Sequence, residues 1–192
     1  IEKCLVCGSN QFEPFLVCKD HTVSKDNFNI VSCKMCGFKF TNPRPTDLVL
    51  GDYYKAEEYV SHTNTKKGLI NKLYHIVRNY TLKKKIQMVS SYVSRGTILD
   101  YGCGTGMFLS ACKDAGWDTV GMEPDDSARK IASDQDLSVY ANKDNVSTFI
   151  KEKQVEAITL WHVLEHVTDM PETLSFFKAK LKKEGVLIIA VP

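Results

Sequence analysis

Apolar residues in the C-terminal half of this chain fall into short solid runs separated by longer stretches with helical spacing. The runs are Thr97-Ile98-Leu99, Thr119-Val120-Gly121-Met122, Leu137-Ser138-Val139-Tyr140, Ala157-Ile158-Thr159-Leu160 and Gly185 to Val191. A strand covered on both faces loses its in-out alternation, so these runs, alternating with helices, predict an α/β fold: a mostly parallel sheet with helices on both faces. From about 47 to 95 the period is helical, with Leu69, Leu73 and Val77 four apart and Ile86, Val89 and Val93 at helical spacing. The segment over 8–32 carries Phe12, Phe15, Leu16, Phe28, Ile30 and Val31, too little core for about 40 residues to fold unaided. Thr41 to Asp47 contains Pro43 and Pro45, each of which restricts its predecessor and removes a backbone donor, and predicts a boundary. The expected organisation is a small unit over 1–45, a helical bridge or lid over 46–95 and the α/β domain over 96–192.

At 192 residues, 43% hydrophobic and 25% charged, the chain is neither disordered nor fibrous. No apolar run reaches the roughly 18 residues of a membrane-spanning helix. The start, Ile1-Glu2-Lys3-Cys4, is not a signal peptide, which predicts a cytoplasmic protein without membrane partners. Twenty-five basic against 23 acidic residues leave +2, which argues against nucleic acid as the main partner. Lys66, Lys67, Lys72, Lys83, Lys84 and Lys85 read as the solvated side of the helical bridge, a patch for nucleic acid or acidic substrates being the sharper alternative. The chain lacks an initial methionine and stops just after an apolar run, so a longer parent protein is expected.

Five of seven cysteines lie in the first 36 residues. Cys4/Cys7 and Cys33/Cys36 are two C-x-x-C pairs, each followed by a glycine, Gly8 and Gly37. Two thiolates on a tight turn grip one ion, and two such turns supply a closed tetrahedral shell suited to Zn²⁺ in a structural role. Disulfides fit poorly with an odd cysteine count and no secretory signal. A redox C-x-x-C is the remaining rival. Cys18 and His21 form a further C-x-x-H pair that competes for a ligand place, although Cys18, closing Phe15-Leu16-Val17, reads more simply as packing from a strand.

Thr97 to Asp100 leads into Tyr101-Gly102-Cys103-Gly104-Thr105-Gly106 and a helix-like segment from Met107. Strand, glycine turn and helix form a ligand-binding opening in which Gly102, Gly104 and Gly106 let the backbone approach a carboxylate or phosphate. Position 107 is methionine, which departs from the dinucleotide G-x-G-x-x-G pattern. Glu123, at the tip of the second run, is placed to accept hydrogen bonds from ribose hydroxyls. After the fourth run, His162, Glu165 and His166 share one face of a turn. They are candidates for a base or a metal, against a purely structural role for Glu165 and His166. Tyr53, Tyr54, Tyr59 and His62 read as packing residues or as a lid over a small-molecule site.

From Ile98 to Gly106, with Glu123 and Leu160-Trp161-His162-Val163-Leu164-Glu165-His166-Val167, the chain resembles the class I S-adenosylmethionine-dependent methyltransferases over about 97–192. The cysteine knuckles and Asn42-Pro43-Arg44-Pro45 also resemble the zinc ribbon preceding this domain in a subgroup of those enzymes, some of which modify sugars. The resemblance implies a Rossmann-like fold and methyl transfer to a small-molecule acceptor. It puts Gly102, Cys103, Gly104 and Gly106 at the cofactor's methionine end, Glu123 on the ribose and Asp100 on the loop and the amino group. Asn142 or Asp144 would meet the adenine, and Trp161 and His162, first off the fourth strand, are also cofactor-binding candidates. His162, then His62, are the candidate bases. Some family members hold a divalent ion with acid, acid and histidine, and here His162 stands where the first acid would be. The family sheet has seven strands, so the closing strands are expected beyond Pro192. The rival readings are a non-catalytic cofactor-binding scaffold and an RNA methyltransferase with the ribbon as clamp.

Overall fold

A computed structural model describes residues 1–21, 23–46, 49 and 69–192, which divide into two compact units, Ile1–Lys66 and Lys67–Pro192. The first unit contains a three-stranded antiparallel sheet, β1 (Phe12–Lys19), β2 (Asn27–Cys33) and β3 (Lys39–Thr41), with β2 in the centre. The β1–β2 register slips between Pro14 and Leu16, where proline lacks a ladder donor. Its apolar contacts are few: Phe12 meets Phe40 edge-on at 5.1 Å, and Phe38 stacks on Phe40 at 5.7 Å. Phe15, Leu16 and Val17 stay exposed. Cys18 does lie on a strand, but its thiol is exposed rather than packed, because no apolar layer among the described residues covers that end of β1. Asn42 ties this unit's N-terminus down, accepting from the Ile1 amino group at 2.8 Å and donating to the Ile1 carbonyl at 3.1 Å.

In the second unit each predicted apolar run is a strand. The elements are α1 (Leu69–Tyr92), β4 (Thr97–Tyr101), α2 (Met107–Asp114), β5 (Asp118–Met122), α3 (Asp126–Ser133), β6 (Ser138–Tyr140), α4 (Lys143–Phe149), β7 (Val155–Trp161), α5 (Met170–Lys180) and β8 (Leu181–Ala190). The sheet is parallel in the order β6-β5-β4-β7-β8. Strands are added outward from β4 to β6 and then on the other side of β4, so the tips of β4 and β7 flank a topological switch point, where ligands of such sheets bind. Successive residues of β4 serve opposite faces. Leu99 packs with Val120, Ile158, Leu160 and Phe177, while Ile98 packs with Val89, Phe108, Cys112 and Trp117.

Helix α1 covers this second layer with Leu82, Ile86 and Val89, and Val93 just past its end joins them. Val77, at helical spacing with Leu69 and Leu73, is 55% exposed. At about 100° per residue, Val77 lies on the opposite side of the helix from Ile86. Lys85 departs from expectation: it is half-buried toward the sheet, while Lys83 and Lys84 remain solvated. No described helix is long and apolar enough to cross a membrane.

Candidate active site and metal centre

The glycine turn between β4 and α2 is held by main-chain bonds that require its conformation. Gly102 and Cys103 both donate to the Met122 carbonyl, at 2.7 and 3.0 Å, which fastens the turn to the tip of β5. Gly102 has φ +78, and a Cβ there would stand 2.6 Å from Val163 Cγ2. Gly106 is crowded in the same way by Leu137 and Ala132. Gly104 also has positive φ, +54, yet no heavy atom lies within 4 Å of where its Cβ would be. Two of the glycines therefore admit neighbouring side chains, and the third faces open space.

Beside that opening stands Glu123. Its Oε2 accepts from Gly104 N–H at 2.8 Å and its Oε1 from Asp125 N–H at 2.9 Å. Each carboxylate oxygen keeps a further lone-pair direction for a hydroxyl donor. The segment is fixed from behind by Arg129, which donates to the Glu123 and Pro124 carbonyls at 2.7 and 3.1 Å, while Asp125 caps α3 by accepting from Ala128 N–H at 2.8 Å. Cys103, expected at the ligand, buries its thiol with Leu109, Ala132 and Leu137, and its N–H is taken by the Met122 carbonyl. Burial, with Asp100 and Glu123 adding to it, pushes that thiol's pKa well up.

Asp100 is 3% exposed at the end of β4, and its Oδ1 accepts from Thr159 Oγ1 at 2.6 Å. Burial lifts its carboxyl to about 7, against the downward pull of the Thr159 hydroxyl and the Lys85 charge. Burial in turn lowers Lys85, while Asp100 raises it. The Lys85 ammonium lies 4.1 Å from the centre of the Trp161 ring, within cation–π range. Trp161 meets Phe108 edge-on at 5.4 Å, so its indole belongs to the layer formed by α1 and α2.

His162 follows β7 with φ +59, a left-handed backbone that a branched-free glycine takes more readily, and its N–H donates to Ala190 O at 2.8 Å. Its side chain is exposed. Glu165 and His166 lie on a single 3-10 turn, Leu164–His166, with His166 Nε2 4.0 Å from Glu165 Oε1. Among the described residues, His162, Glu165 and His166 do not bring three ligand atoms together. Of the two adenine candidates, Asn142 is committed to capping α4, accepting from Asn145 N–H at 2.9 Å, whereas Asp144 is exposed in the first turn. His62 lies outside the described residues.

The sequence reading missed Thr159, Arg129, Val163 and Lys85. Thr159 had one readable signal, a hydroxyl within an aliphatic strand; the register pairs it with Asp100. The others depend on helix rotation or loop path, which local spacing does not reveal.

In the first unit the Sγ atoms of Cys4, Cys7, Cys33 and Cys36 all lie within 4.8 Å of one another. Cys4 and Cys36 are 3.6 Å apart, as are Cys7 and Cys33. Tetrahedral zinc with Zn–S near 2.3 Å places its sulfurs about 3.8 Å apart, so the set fits that ion. Each knuckle closes through its glycine: Gly8 N–H donates to Cys4 O at 2.9 Å and Gly37 N–H to Cys33 O at 2.8 Å. Burial opposes ionisation of Cys33, but the Cys36 and Met35 amides and the neighbouring sulfurs bring it down to about 6. Cys36 is aided by the Phe38 amide, yet burial and its three neighbours drive it up to about 12. Four adjacent sulfurs do not all carry charge without a cation among them.

The methyltransferase-domain family profile matches residues 74–192. The ubiquinone biosynthesis O-methyltransferase of Actinobacillus pleuropneumoniae serotype 7 is 32% identical over 103 residues, covering 48% of this chain and 44% of that protein. The Rickettsia bellii protein of the same name is 25% identical over 141 residues, 69% of this chain and 58% of that one. The chain thus spans about half the length of these curated relatives. Among solved structures, a SAM-dependent methyltransferase from Archaeoglobus fulgidus superposes with TM-score 0.50 at 22% identity, over 60% of this chain and 53% of that one. Streptomyces venezuelae DesVI gives 0.53 at 17%, over 63% and 55%. At such identities these structures establish the Rossmann-like fold.

Proposed function

This chain belongs to the methyltransferase-domain family, and from that premise we propose that it transfers a methyl group from S-adenosylmethionine to a small-molecule acceptor. The observation that carries the proposal is the open Gly104 beside a Glu123 carboxylate already held by two backbone N–H groups. When bound, the cofactor supplies an activated sulfonium methyl, so the protein's work is to hold acceptor and methyl in line. Glu123 accepts from the ribose hydroxyls, and the main chain of Gly102, Cys103, Gly104 and Gly106 lines the methionine end. Asp100 takes the amino group, and Asp144 meets the adenine from the first turn of α4. Trp161 supports this wall from behind, and the exposed His162 is the first candidate base. His62 is the second.

The acceptor chemistry to test first is a hydroxyl, because the curated relatives are named O-methyltransferases. Sugars and phenols head the panel. In the first unit Cys4, Cys7, Cys33 and Cys36 hold structural Zn²⁺; with all four positions taken by sulfur, the ion has no open place for substrate.

Calorimetric titration with S-adenosylmethionine tests the reading. Wild type binds, and Glu123→Ala weakens binding by an order of magnitude or more. Absence of binding, or binding indifferent to the substitution, overturns the cofactor site. Methyl transfer from labelled cofactor into small-molecule extracts separates an enzyme from a scaffold that binds and does not turn over.

A further inference from the structure

Six of the lysines between 66 and 85 look alike in sequence, but Lys85 turns inward. At about 100° per residue it lies within roughly 40° of Val89, the fully buried centre of the α1 face. A lysine stem can cover apolar surface while its head reaches water. Here the head instead lies over the Trp161 ring, and two-residue alternation puts Trp161, Thr159 and Asp100, the partner of Thr159 in the β4–β7 register, on the side of the sheet that Ile98 and Ala157 share and that α1 covers. Asp100 is faced by the Thr159 hydroxyl from β7, by Glu123 from the tip of β5, by the Cys103 thiol in the turn and by Cys112 from α2. Lys85 from α1 is the one cation acting on it among the described residues.

We infer that Lys85 is a positioning residue of the cofactor site: seated on Trp161, its ammonium favours the ionised form of the Asp100 carboxyl that the ligand's amino group needs. The inference rests on the proposed cofactor reading. An Asp in so dry a place takes up a proton unless a cation opposes it, and a protonated carboxyl is a poor acceptor for an ammonium donor. Helix α1 thereby becomes part of the site through charge. Trp161 acts as the platform that fixes the lysine head, and it does so without touching the ligand.

The test uses the whole chain, carboxyl-¹³C-labelled at aspartate, with no cofactor present. The Asp100 resonance is identified by its disappearance in Asp100→Asn and titrated by NMR. Lys85→Met raises its midpoint by about one pH unit, and Lys85→Arg leaves it near wild type. Binding of S-adenosylmethionine is then measured against pH. Affinity falls as pH drops through the Asp100 midpoint, and in Lys85→Met this acid limb moves to higher pH. In an Asp100→Asn background Lys85→Met changes affinity less than twofold. An unmoved midpoint, or equal losses in both backgrounds, overturns the inference. A wild-type chain that binds no cofactor overturns the cofactor reading instead, and the NMR titration still decides whether Lys85 governs Asp100.

Discussion

The two units of this chain hold their shapes by opposite means. The first leaves Phe15, Leu16 and Val17 in solvent and gathers four sulfurs. The second buries two apolar layers against a five-stranded sheet and places polar groups at the strand tips. Where the core is large, buried polarity such as Asp100 can be borne and used for binding. Where it is small, the proposed Zn²⁺ among those sulfurs would supply the cohesion that apolar packing does not.

The largest expected effect breaks the first unit alone. Structural zinc in small fingers contributes about 10–16 kcal/mol of apparent binding free energy, and that energy is folding energy. A strong chelator, or Cys33→Ser, is therefore expected to abolish the β1–β2–β3 amide pattern in NMR spectra and to open the segment to protease. The main thermal transition of the sheet unit stays in place. Retention of the ribbon spectrum in metal-free protein would show that Phe12, Phe38 and Phe40 suffice.

Within the second unit, Gly102 and Gly104 sharpen the same contrast between cohesion and binding. Gly102→Ala drives a Cβ into Val163, a stiff β-branched neighbour, and costs about 1–3 kcal/mol of overpacking on top of about 1–2 kcal/mol of left-handed strain in chemical denaturation. Val163→Ala in the same chain restores part of that loss. Gly104→Ala meets no protein atom, so its stability cost is only the left-handed strain of about 1–2 kcal/mol. Its larger effect is on S-adenosylmethionine affinity, measured by calorimetry. Equal affinity losses in the two alanine variants would dissolve the distinction.

The smallest effect concerns His162, which carries φ +59 without being glycine. His162→Gly releases about 1 kcal/mol of strain and raises the melting temperature by about 2–4 °C. If its imidazole is the base, turnover at neutral pH collapses in the same variant. His162→Gln, which keeps the strain and removes the base, loses turnover without gaining stability.

Much of this architecture was readable before folding is considered. Solid apolar runs became parallel strands because a strand buried on both faces has no polar side to show, and the spacing Ile86, Val89, Val93 marked the face of α1 that packs. The cysteine set was equally legible, since two C-x-x-C turns can converge only on something four sulfurs share. Cys18 and Lys85 were misjudged for one reason: run membership and charge type do not say which way a side chain points. The three turn glycines looked equivalent as letters, and only the positions of Val163, Leu137 and Ala132 separate packing glycines from the one facing open space.

Sequence by itself determined the periodic features, namely five strands, the helical spacing of α1 and the paired knuckles, because these follow from local spacing and from the solvent preference of each side chain. Tertiary structure alone decided the pairing of Asp100 with Thr159, the holding of Glu123 by Gly104 and Asp125, and the seating of Lys85 on Trp161. Those contacts join residues far apart in the chain through strand register and helix rotation. Their energies depend on how much water the surrounding layers exclude, a quantity that exists only once the layers have packed.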